Sequence, residues 1–498
     1  MNLATIVDPH PADAPALLSD EGVVTTYGEL RRQVAGMRGG LARLGVHPGD
    51  RVAIICANTP AFVVAYLAIL GVGAVAVPID PAYPLAAIER ELRVIGPRVA
   101  VVGRAGADAV AALDRNAVGL VSVVAAEGSR VEGAEEYGEL VEGPPADTVA
   151  RADANLAVLM FTAGTGGDPK PAMLTHGNLV ANLEQVQAFA GQVMHAEDVG
   201  IAIIPFFHIF GLNVVLGLPL LAGASLVLVE RFDADATLSL IAERGVTIVA
   251  GTPHMYAAWA AVDGAKGDEM RSVRLAVSGA SPLPAEVGQA MEDRFGVPLW
   301  EGYGLTEAAP IVTSSLMLGR PRPGAIGGPL PGVELRLVDS NGQETLLGDA
   351  GEIWVKGPNV FAGYWNDPAS TARVLTPDGW LRTGDVAVAD EDGYLHIVDR
   401  AKDLILVLGF NVYPAEVEET LMRHPAIAEA AAVGVPHPSS GETVKAIVVL
   451  EPGARLDASE VIDYCAERLA RYKCPTQVTF ATSLPHGRTG KLLRRALH

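Results

Sequence analysis

Cysteine is scarce in this chain, whose 498 residues include Cys56, Cys465 and Cys474 and no other. Their spacing fits neither a metal-binding motif nor a disulfide framework, which points to a reducing cytoplasm. Positive charge is also in short supply, because 37 Lys and Arg residues face 58 Asp and Glu residues and leave a net charge of −21. A surface of that sign repels polyanions, so we expect no nucleic acid partner. The N-terminus lacks a basic cluster ahead of an apolar segment, which predicts no signal peptide.

Uninterrupted apolar runs of membrane-spanning length are lacking too. The stretches 60–79 and 199–229 come closest, and His208 is the one ionisable residue of the second. Glycine and proline interrupt both stretches and divide them into pieces of helix and strand length. We therefore expect buried segments rather than transmembrane helices, while peripheral membrane contact stays open.

The composition that remains is that of a large globular protein, with 50% hydrophobic and 19% charged residues. A chain of this length exceeds a single core, so at least two domains are expected. Strand-like runs alternate with helical patterns in residues 51–102 and again in 224–295, which predicts two parallel sheets with crossover helices.

The second half of the chain has a different pattern of predicted secondary structure. Short strands between turns predict a β-rich subdomain at 325–398. We place a boundary at 399–402 and a small α/β domain at 403–498. The sequence thus predicts a multi-domain α/β fold, with an N-terminal domain of two α/β sheets plus the β-rich subdomain over residues 1–398.

Glycine concentrates in one loop, which follows the apolar run 156–161 and precedes a helix expected after Thr175. Glycines let backbone N–H groups turn inward, threonines add hydroxyl donors and a lysine adds a mobile cation. The pattern predicts a phosphate-binding loop, although a surface turn also fits it in isolation. Walker-type nucleotide-binding proteins are excluded, because no Gly-Lys-Ser/Thr follows. The predicted phosphate-binding residues are Thr162, Gly164, Thr165, Gly166, Gly167 and Lys170.

Two further motifs supply groups that a nucleotide needs. Residues 301–307 combine an aromatic ring at Tyr303, a hydroxyl at Thr306 and a carboxylate at Glu307. We expect these to stack on a base, bond a phosphate and hold Mg²⁺, respectively. Asp385 ends the run Thr-Gly-Asp, where its carboxylate can accept two ribose hydroxyls. Either motif alone also fits an ordinary turn.

Taken together, these motifs resemble those of the adenylate-forming superfamily in both order and spacing. This superfamily includes acyl-CoA synthetases, 4-coumarate–CoA ligases, adenylation domains of peptide synthetases and luciferases. The chain departs from the usual phosphate loop at Ala163 and Gly166, which replace hydroxyl residues, and at Pro171, which replaces a glycine. The resemblance covers nearly the whole chain, from residues 26–30 to Lys491.

The resemblance implies a two-step reaction with ATP, Mg²⁺ and coenzyme A. A carboxylic acid attacks the α-phosphorus of ATP, which gives an acyl-adenylate and pyrophosphate, and the thiol of CoA then displaces AMP. Lys491 is implied to bridge the carboxylate and the α-phosphate. Lys402 is implied to be the hinge about which the C-terminal domain turns. Gly409 belongs to the loop implied to admit the CoA thiol arm.

The resemblance also assigns binding roles. Arg400 is implied to reach the ribose beside Asp385, and Gly304 lies within the Tyr-Gly-x-Thr-Glu motif. His208 is implied to border the tunnel for the carboxylate, although a lone histidine among aromatic residues is more often part of a core. The adenine and acyl pocket is implied to be lined by Gly279, Ala280 and Ser281.

Several alternatives stay open from the sequence. The acceptor of the acyl group could be a carrier-protein thiol, an amine or another nucleophile, and an unusual oxyanion could be activated instead. A catalytically impaired nucleotide-binding relative is a further alternative, because two loop hydroxyls are missing. Phe206, Phe207 and Phe210 suit an alkyl chain or an aromatic ring equally, so fatty, aryl and arylpropenoic acids all fit. The oligomeric state is not encoded in any motif.

Overall fold

A computed structural model describes most of the chain. The residues described are 1–19, 22–126, 128–162, 170–189, 193–339, 341–400, 405–407, 410–437, 441–469, 471–486 and 492–497. They form two compact units. The first contains Met1–Pro323, Gly327–Glu334 and Val355–Leu381, and the second contains Gly324–Ile326, Leu335–Trp354 and Arg382–His498.

A nine-stranded sheet is the larger of two sheets in the first unit. Its central strands are parallel and rich in buried Val, Ile and Leu, as expected for strands covered on both faces. In spatial order the strands are Gly328–Pro329, Ile311–Ser314, Leu299–Gly304, Leu275–Ser278, Ile248–Gly251, Val199–Ala202, Ser225–Leu228, Pro15–Leu18 and Val24–Thr26.

A seven-stranded sheet is the second sheet of this unit. It is parallel except at the edge, where Leu156–Thr162 and Lys170–Thr175 pair antiparallel on either side of the predicted phosphate loop. In spatial order the strands are Glu135–Glu136, Ser122–Ala125, Val99–Val102, Arg51–Ile55, Val75–Pro78, Leu156–Thr162 and Lys170–Thr175.

Some helices of the first unit begin or end on recognisable capping residues. Thr175 and Asn178 form a capping box at the helix expected after the phosphate loop, and Gly296 ends another helix in the left-handed conformation. The α-helices are Tyr27–Arg43, Pro60–Gly71, Leu85–Ile95, Ala107–Ala111, Tyr137–Val141, His176–Gln187, Leu218–Ala222, Ala234–Arg244, Pro253–Ala260, Ala285–Phe295 and Pro368–Val374. Short 3₁₀-helices are Leu3–Val7, Arg104–Gly106, Asn116–Val118, Thr306–Ala308 and Ser315–Leu318.

The two long uncharged stretches are buried segments, as predicted. The first contains the helix Pro60–Gly71, which is buried along nearly its whole length. The second contains two parallel strands joined by the π-helix Phe210–Gly217 and the short helix Leu218–Ala222. In the part of the chain that the structure describes, no helix is both long and apolar enough to cross a membrane.

The second unit carries two further sheets. Most of a four-stranded sheet belongs to it, in the order Glu334–Val338, Ala350–Lys356, Leu381–Ala389 and Leu395–Arg400. The five-stranded sheet has the order Phe410–Val412, Ile405–Val407, Gly441–Leu450 and Ile427–His437, with Gln477–Ala481 also paired to Gly441–Leu450. Its α-helices are Pro414–Met422 and Ala458–Ala466, and its 3₁₀-helices are Arg471–Lys473 and Arg494–Leu497.

The multi-domain α/β fold predicted from the sequence is confirmed. The β-rich subdomain at 325–398 stays a prediction, and this range also contains the helix Pro368–Val374, which Asp367 caps and Pro368 begins. The domain boundary at 399–402 stays a prediction, and residues 401–404 lie outside the described residues.

Candidate active site

The candidate site lies where parallel strands of the nine-stranded sheet end. Strands ending at Ala202, Ser278 and Gly304 lead directly into the segments that contain His208, Gly279 and Glu307. Parallel strands of α/β proteins bind ligands beyond their carboxyl ends, because loops and free backbone groups gather there. The topology therefore brings three of the separately predicted segments to one edge.

Buried asparagines fix the backbone of the Glu307 turn. Asn213 donates to the Ala309 carbonyl at 2.7 Å, and Asn359 donates to the Ala308 carbonyl at 2.9 Å. Asn182 bonds Ile311 in both directions, accepting at 3.1 Å and donating at 2.8 Å. These hydrogen bonds hold the Glu307 turn in place, because breaking one leaves a buried polar group unpaired at a cost of about 1–3 kcal/mol.

Tyr364 holds the Glu307 side chain through a hydrogen bond. The Tyr364 hydroxyl donates a 2.7 Å hydrogen bond to Oε1 of Glu307, and the backbone N–H of Phe361 donates to the Glu307 carbonyl at 2.9 Å. Burial, and then the Glu307 carboxylate, raise the pKa of Tyr364 above its usual value. The hydroxyl is therefore a permanent donor, and it fixes one carboxylate oxygen of the predicted metal ligand.

The segment that carries Tyr364 is joined to the phosphate-loop strand Lys170–Thr175. Met173 donates to the Gly363 carbonyl at 2.9 Å and accepts from Ala362 at 2.9 Å, while Trp365 donates to the Pro171 carbonyl at 2.8 Å. Because Pro171 has no N–H to offer, it takes part in this pairing through its carbonyl. The pairing sets Tyr364 between the strand Lys170–Thr175 and the Glu307 turn.

Lys170 meets the same segment with its side chain. Its ammonium lies 3.3 Å from Oδ2 of Asp367, donates to the hydroxyl of Ser370 and stands 5.6 Å from the centre of the Tyr364 ring. Hydrogen bonds from the Ser370 hydroxyl and N–H, with Lys170 adding to them, lower the pKa of Asp367 to about 2. The phosphate-loop cation and the Glu307 carboxylate thus share one neighbour, Tyr364.

Thr162 opens the phosphate loop at the end of its strand. Its hydroxyl oxygen is inaccessible to water and has no hydrogen-bond partner among the residues described. An unpaired buried hydroxyl of this kind fits a phosphate oxygen. The predicted loop residues Gly164, Thr165, Gly166 and Gly167 lie outside the described residues, and so does Ala163.

Close backbone packing requires glycine at position 304 of the Tyr303–Gly304 motif. Tyr303 is buried, with 8% of its surface exposed, while Thr306 and Glu307 are half-buried. A Cβ atom on Gly304 would lie 2.2 Å from the Pro310 carbonyl oxygen. Only glycine fits where these two backbone segments approach each other.

The Gly279–Ser281 segment adjoins the histidine segment. A Cβ atom on Gly279 would lie 3.1 Å from the Phe210 ring, and Ala280 adopts a left-handed φ of 71°. Ala280 is exposed and Ser281 is half-buried. A left-handed alanine is strained and is common at ligand-binding turns.

His208 is half-buried at the start of the π-helix. Its Nδ1 accepts from the Phe210 backbone N–H at 3.3 Å. Phe206 packs in the core against Phe62, with ring centres 5.2 Å apart, whereas Phe210 faces a cavity. Of the three phenylalanines expected to meet the substrate, Phe210 therefore lines the cavity, whereas Phe206 is part of the core.

An apolar cavity of about 70 Å³ lies along one face of the nine-stranded sheet. Its walls come from the sheet, from the π-helix and from the end of the helix His176–Gln187, and they include Gly200, Phe210, Leu226, Ile248, Leu275 and Gly302. All described side chains that line it are apolar except Ser314. The cavity has the apolar lining of a small-molecule site.

The predicted ribose-binding residues lie in the second unit. Asp385 is buried, with 7% of its surface exposed, and it pairs directly with Arg400 across two antiparallel strands. Thr383 accepts from the Asp385 N–H at 3.1 Å. The strand pairing therefore brings two residues that are 15 positions apart in sequence into register on neighbouring strands.

Three predicted catalytic residues, Lys402, Gly409 and Lys491, lie outside the described residues. Sequence reasoning also missed two residues of the site, Tyr364 and Asp367. The run Asn366-Asp367-Pro368 carries a helix-start signal that could have identified Asp367 as a cap. Its contact with Lys170 had no sequence signal.

Comparison with known proteins identifies the class. Residues 3–365 match the family described as AMP-binding enzyme, and residues 416–491 match the AMP-binding enzyme C-terminal domain. The chain belongs to the AMP-binding enzyme family. The predicted membership of the adenylate-forming superfamily is thereby confirmed.

Individual relatives are similar over almost their full length. A feruloyl-CoA synthase from Amycolatopsis sp is 39% identical over 479 residues, which are 95% of this chain and 93% of the relative. A long-chain-fatty-acid–CoA ligase from Bacillus subtilis (strain 168) is 34% identical over 97% of this chain and 92% of its own. The crystal structure of ATP-bound MatB from Rhodopseudomonas palustris superposes with a TM-score of 0.90 at 33% identity, covering 100% of this chain and 98% of that one.

Proposed function

We propose that this chain is an ATP-dependent acid–CoA ligase that takes acids with an apolar tail. The observation that carries this proposal is the close approach of the Phe210 ring to Gly279, where a Cβ atom would lie 3.1 Å from the ring. It joins the apolar cavity to the edge of the sheet where the nucleotide-binding segments meet. A carboxylate at that edge stands beside the predicted site of ATP, while its tail enters the cavity.

The side chains at this edge fit ATP with Mg²⁺. Magnesium is bound in proteins by one or two carboxylates together with substrate phosphates, and Glu307 is a half-buried carboxylate of the required kind. When bound, Mg²⁺ neutralises charge on the phosphate oxygens. Tyr364 orients Glu307, Lys170 adds a cation near the phosphates, and the Thr162 hydroxyl adds a donor.

Adenylation on this scaffold is a matter of positioning and charge. The carboxylate oxygen of the acid attacks the α-phosphorus, the bond to the β-phosphate oxygen breaks, and pyrophosphate leaves with the electron pair. Such transfers depend on alignment and electrostatic stabilisation rather than on a protein nucleophile. We assign the bridging cation of this step to Lys491, as the family resemblance implies.

Thioester formation needs a thiol that the protein itself does not supply. Cys56, Cys465 and Cys474, all within the described residues, are buried. Burial raises the pKa of Cys56 to about 12 and that of Cys465 to about 11, so neither is a thiolate at neutral pH. The CoA thiol is therefore the expected nucleophile, entering past Gly409 after the domain turns at Lys402.

Two assays test this function. Acid-dependent exchange of pyrophosphate into ATP reports adenylation, and CoA-dependent release of AMP reports thioester formation. We expect both with acids that have apolar tails. Exchange without CoA-dependent AMP release would indicate another acceptor, such as an amine or a carrier-protein thiol. The absence of exchange with every acid would indicate an impaired nucleotide-binding relative. A cytoplasmic location and small-molecule partners are part of the same proposal.

A further inference from the structure

We propose that the apolar cavity accepts the unbranched alkyl chain of a medium-length fatty acid, and that Gly200 determines how long that chain can be. This inference rests on the proposed function, because it places the carboxylate at the carboxyl edge of the sheet. It goes further by naming the kind of tail and the residue that limits it.

The far end of the cavity is a row of residues across four parallel strands. Gly200 is in register with Leu226 on one side and with Ile248 on the other, and Ile248 is in register with Leu275. All four residues line the cavity. Each is the first or second residue of its strand, so this row lies at the amino edge of the sheet.

The other end of the cavity lies at the carboxyl edge. Ala250 and Val277 form the next row of the lining, and Gly302 follows the pair Ser278–Glu301. From Leu275 to Gly279 the chain advances four residues, or about 13 Å at about 3.3 Å per residue. With C–C bonds of about 1.5 Å, an extended alkyl chain advances roughly 1.25 Å per carbon, so about ten carbons span this depth.

The chemistry of the walls favours a saturated chain over a substituted ring. Among the described lining residues none is charged, and the hydroxyl of Ser314 already accepts from the Leu316 N–H at 3.2 Å. A phenolic hydroxyl carried into this space would lose its water, and Ser314 is the single polar side chain among the described lining residues that could replace it. Each buried methylene, by contrast, strengthens binding about fourfold, the equivalent of about 0.8 kcal/mol.

Gly200 leaves the end of the cavity open by its lack of a side chain. A Cβ atom there would lie 3.2 Å from Leu226 Cδ1, 3.6 Å from Pro219 Cγ and 3.7 Å from Met194 Cε. These three neighbours line the cavity as well. A larger side chain at position 200 would therefore project into the space that the last carbons of the acid occupy.

The test compares acid preference in the wild-type protein and in Gly200 variants, using pyrophosphate exchange. The panel is butanoic, hexanoic, octanoic, decanoic, dodecanoic and hexadecanoic acids, with 4-hydroxycinnamic acid as the hydroxylated aryl probe. We expect the wild-type kcat/KM to peak near decanoic acid. Gly200→Leu should lower kcat/KM for decanoic acid at least about tenfold and leave hexanoic acid within about threefold, since only the longer chain reaches the changed wall.

Companion variants separate chain-length selection from loss of folding. Gly200→Ala should produce a smaller shift in the same direction, and Met194→Ala should extend the preference to longer acids. Gly288→Leu is the matched control, because its nearest neighbour is a Leu283 carbon 4.0 Å away and it lies outside the cavity lining. Thermal denaturation of each variant reports folding.

The outcomes distinguish this inference from the function on which it rests. An unchanged chain-length profile in Gly200→Leu, or a wild-type preference for 4-hydroxycinnamic acid, would overturn the inference while leaving acid activation intact. Exchange with no acid would overturn the proposed function. In that case the thermal stabilisation of wild type by decanoic acid, reduced in Gly200→Leu, would still support the cavity assignment, and its absence would reject it.

Discussion

The hydroxyl of Tyr364 lies 2.7 Å from Oε1 of Glu307 and joins two segments that are 57 positions apart in sequence. The same ring lies 5.6 Å from the ammonium of Lys170. One tyrosine therefore contacts both the predicted metal ligand and the predicted phosphate-loop cation. We therefore predict that Tyr364 is a positioning residue for adenylation, since it orients two groups that are predicted to touch the nucleotide.

We expect Tyr364→Phe to weaken magnesium-dependent adenylation. The substitution removes the hydrogen bond that the Tyr364 hydroxyl donates to the Glu307 carboxylate, and hydrogen bonds to charged groups are worth about 1.5–3 kcal/mol. The half-saturating Mg²⁺ concentration in pyrophosphate exchange should rise about tenfold. Titration of Mg²⁺ at saturating ATP measures this.

Tyr27→Phe is the control for that prediction. The Tyr27 hydroxyl is buried and donates to the carbonyls of Ala224 at 2.8 Å and Pro219 at 3.3 Å, but it bonds neither Glu307 nor Lys170. Its loss should lower the melting temperature without altering the Mg²⁺ requirement. An equal Mg²⁺ shift in both variants would show that Tyr364 contributes only to folding.

The motifs were predictable from sequence because each is local. Thr162, Lys170 and Glu307 belong to short runs whose backbone and side-chain chemistry is visible without a fold. Tyr364 was not predictable, because its role depends on pairing between residues 361–365 and the strand Lys170–Thr175. The cavity was equally hidden, since it is defined by register across four strands and by the rare π-helix Phe210–Gly217.

We expect the folded protein to lose stability in mild acid because of the buried His176. It is fully buried, its Nδ1 accepts from the Leu3 N–H at 3.1 Å, and its Nε2 has no partner among the described residues. Burial, with Arg151 adding to it, lowers the pKa of His176 to about 4. In the unfolded chain His176 binds a proton near pH 6.5, whereas in the folded chain it stays neutral until about pH 4. The free energy of unfolding therefore falls as the pH drops from about 6.5 to about 4.

The size of that effect follows from the pKa difference. A pKa shift of this extent corresponds to about 3 kcal/mol of the free energy of unfolding, which is lost progressively as the pH falls between the two pKa values. His176→Asn keeps an acceptor for Leu3 and removes the titration, so its free energy of unfolding should depend less on pH. Urea denaturation of both proteins between pH 4 and pH 7.5 measures the difference. Parallel pH profiles would mean that His176 is protonated in the folded protein.

Lys491→Ala should impair adenylation and leave thioester formation nearly unchanged. If Lys491 bridges the carboxylate and the α-phosphate, its loss removes a charge that matters only during adenylation, and pyrophosphate exchange should fall about a hundredfold to a thousandfold. Thioester formation from supplied acyl-adenylate and CoA should stay within about twofold of wild type, because that step uses the Gly409 loop instead. Exposed Lys266 provides the matched control, and Lys266→Ala should leave both steps unchanged. Equal loss of both half-reactions in Lys491→Ala would contradict this division of labour and assign the lysine a role in holding AMP throughout.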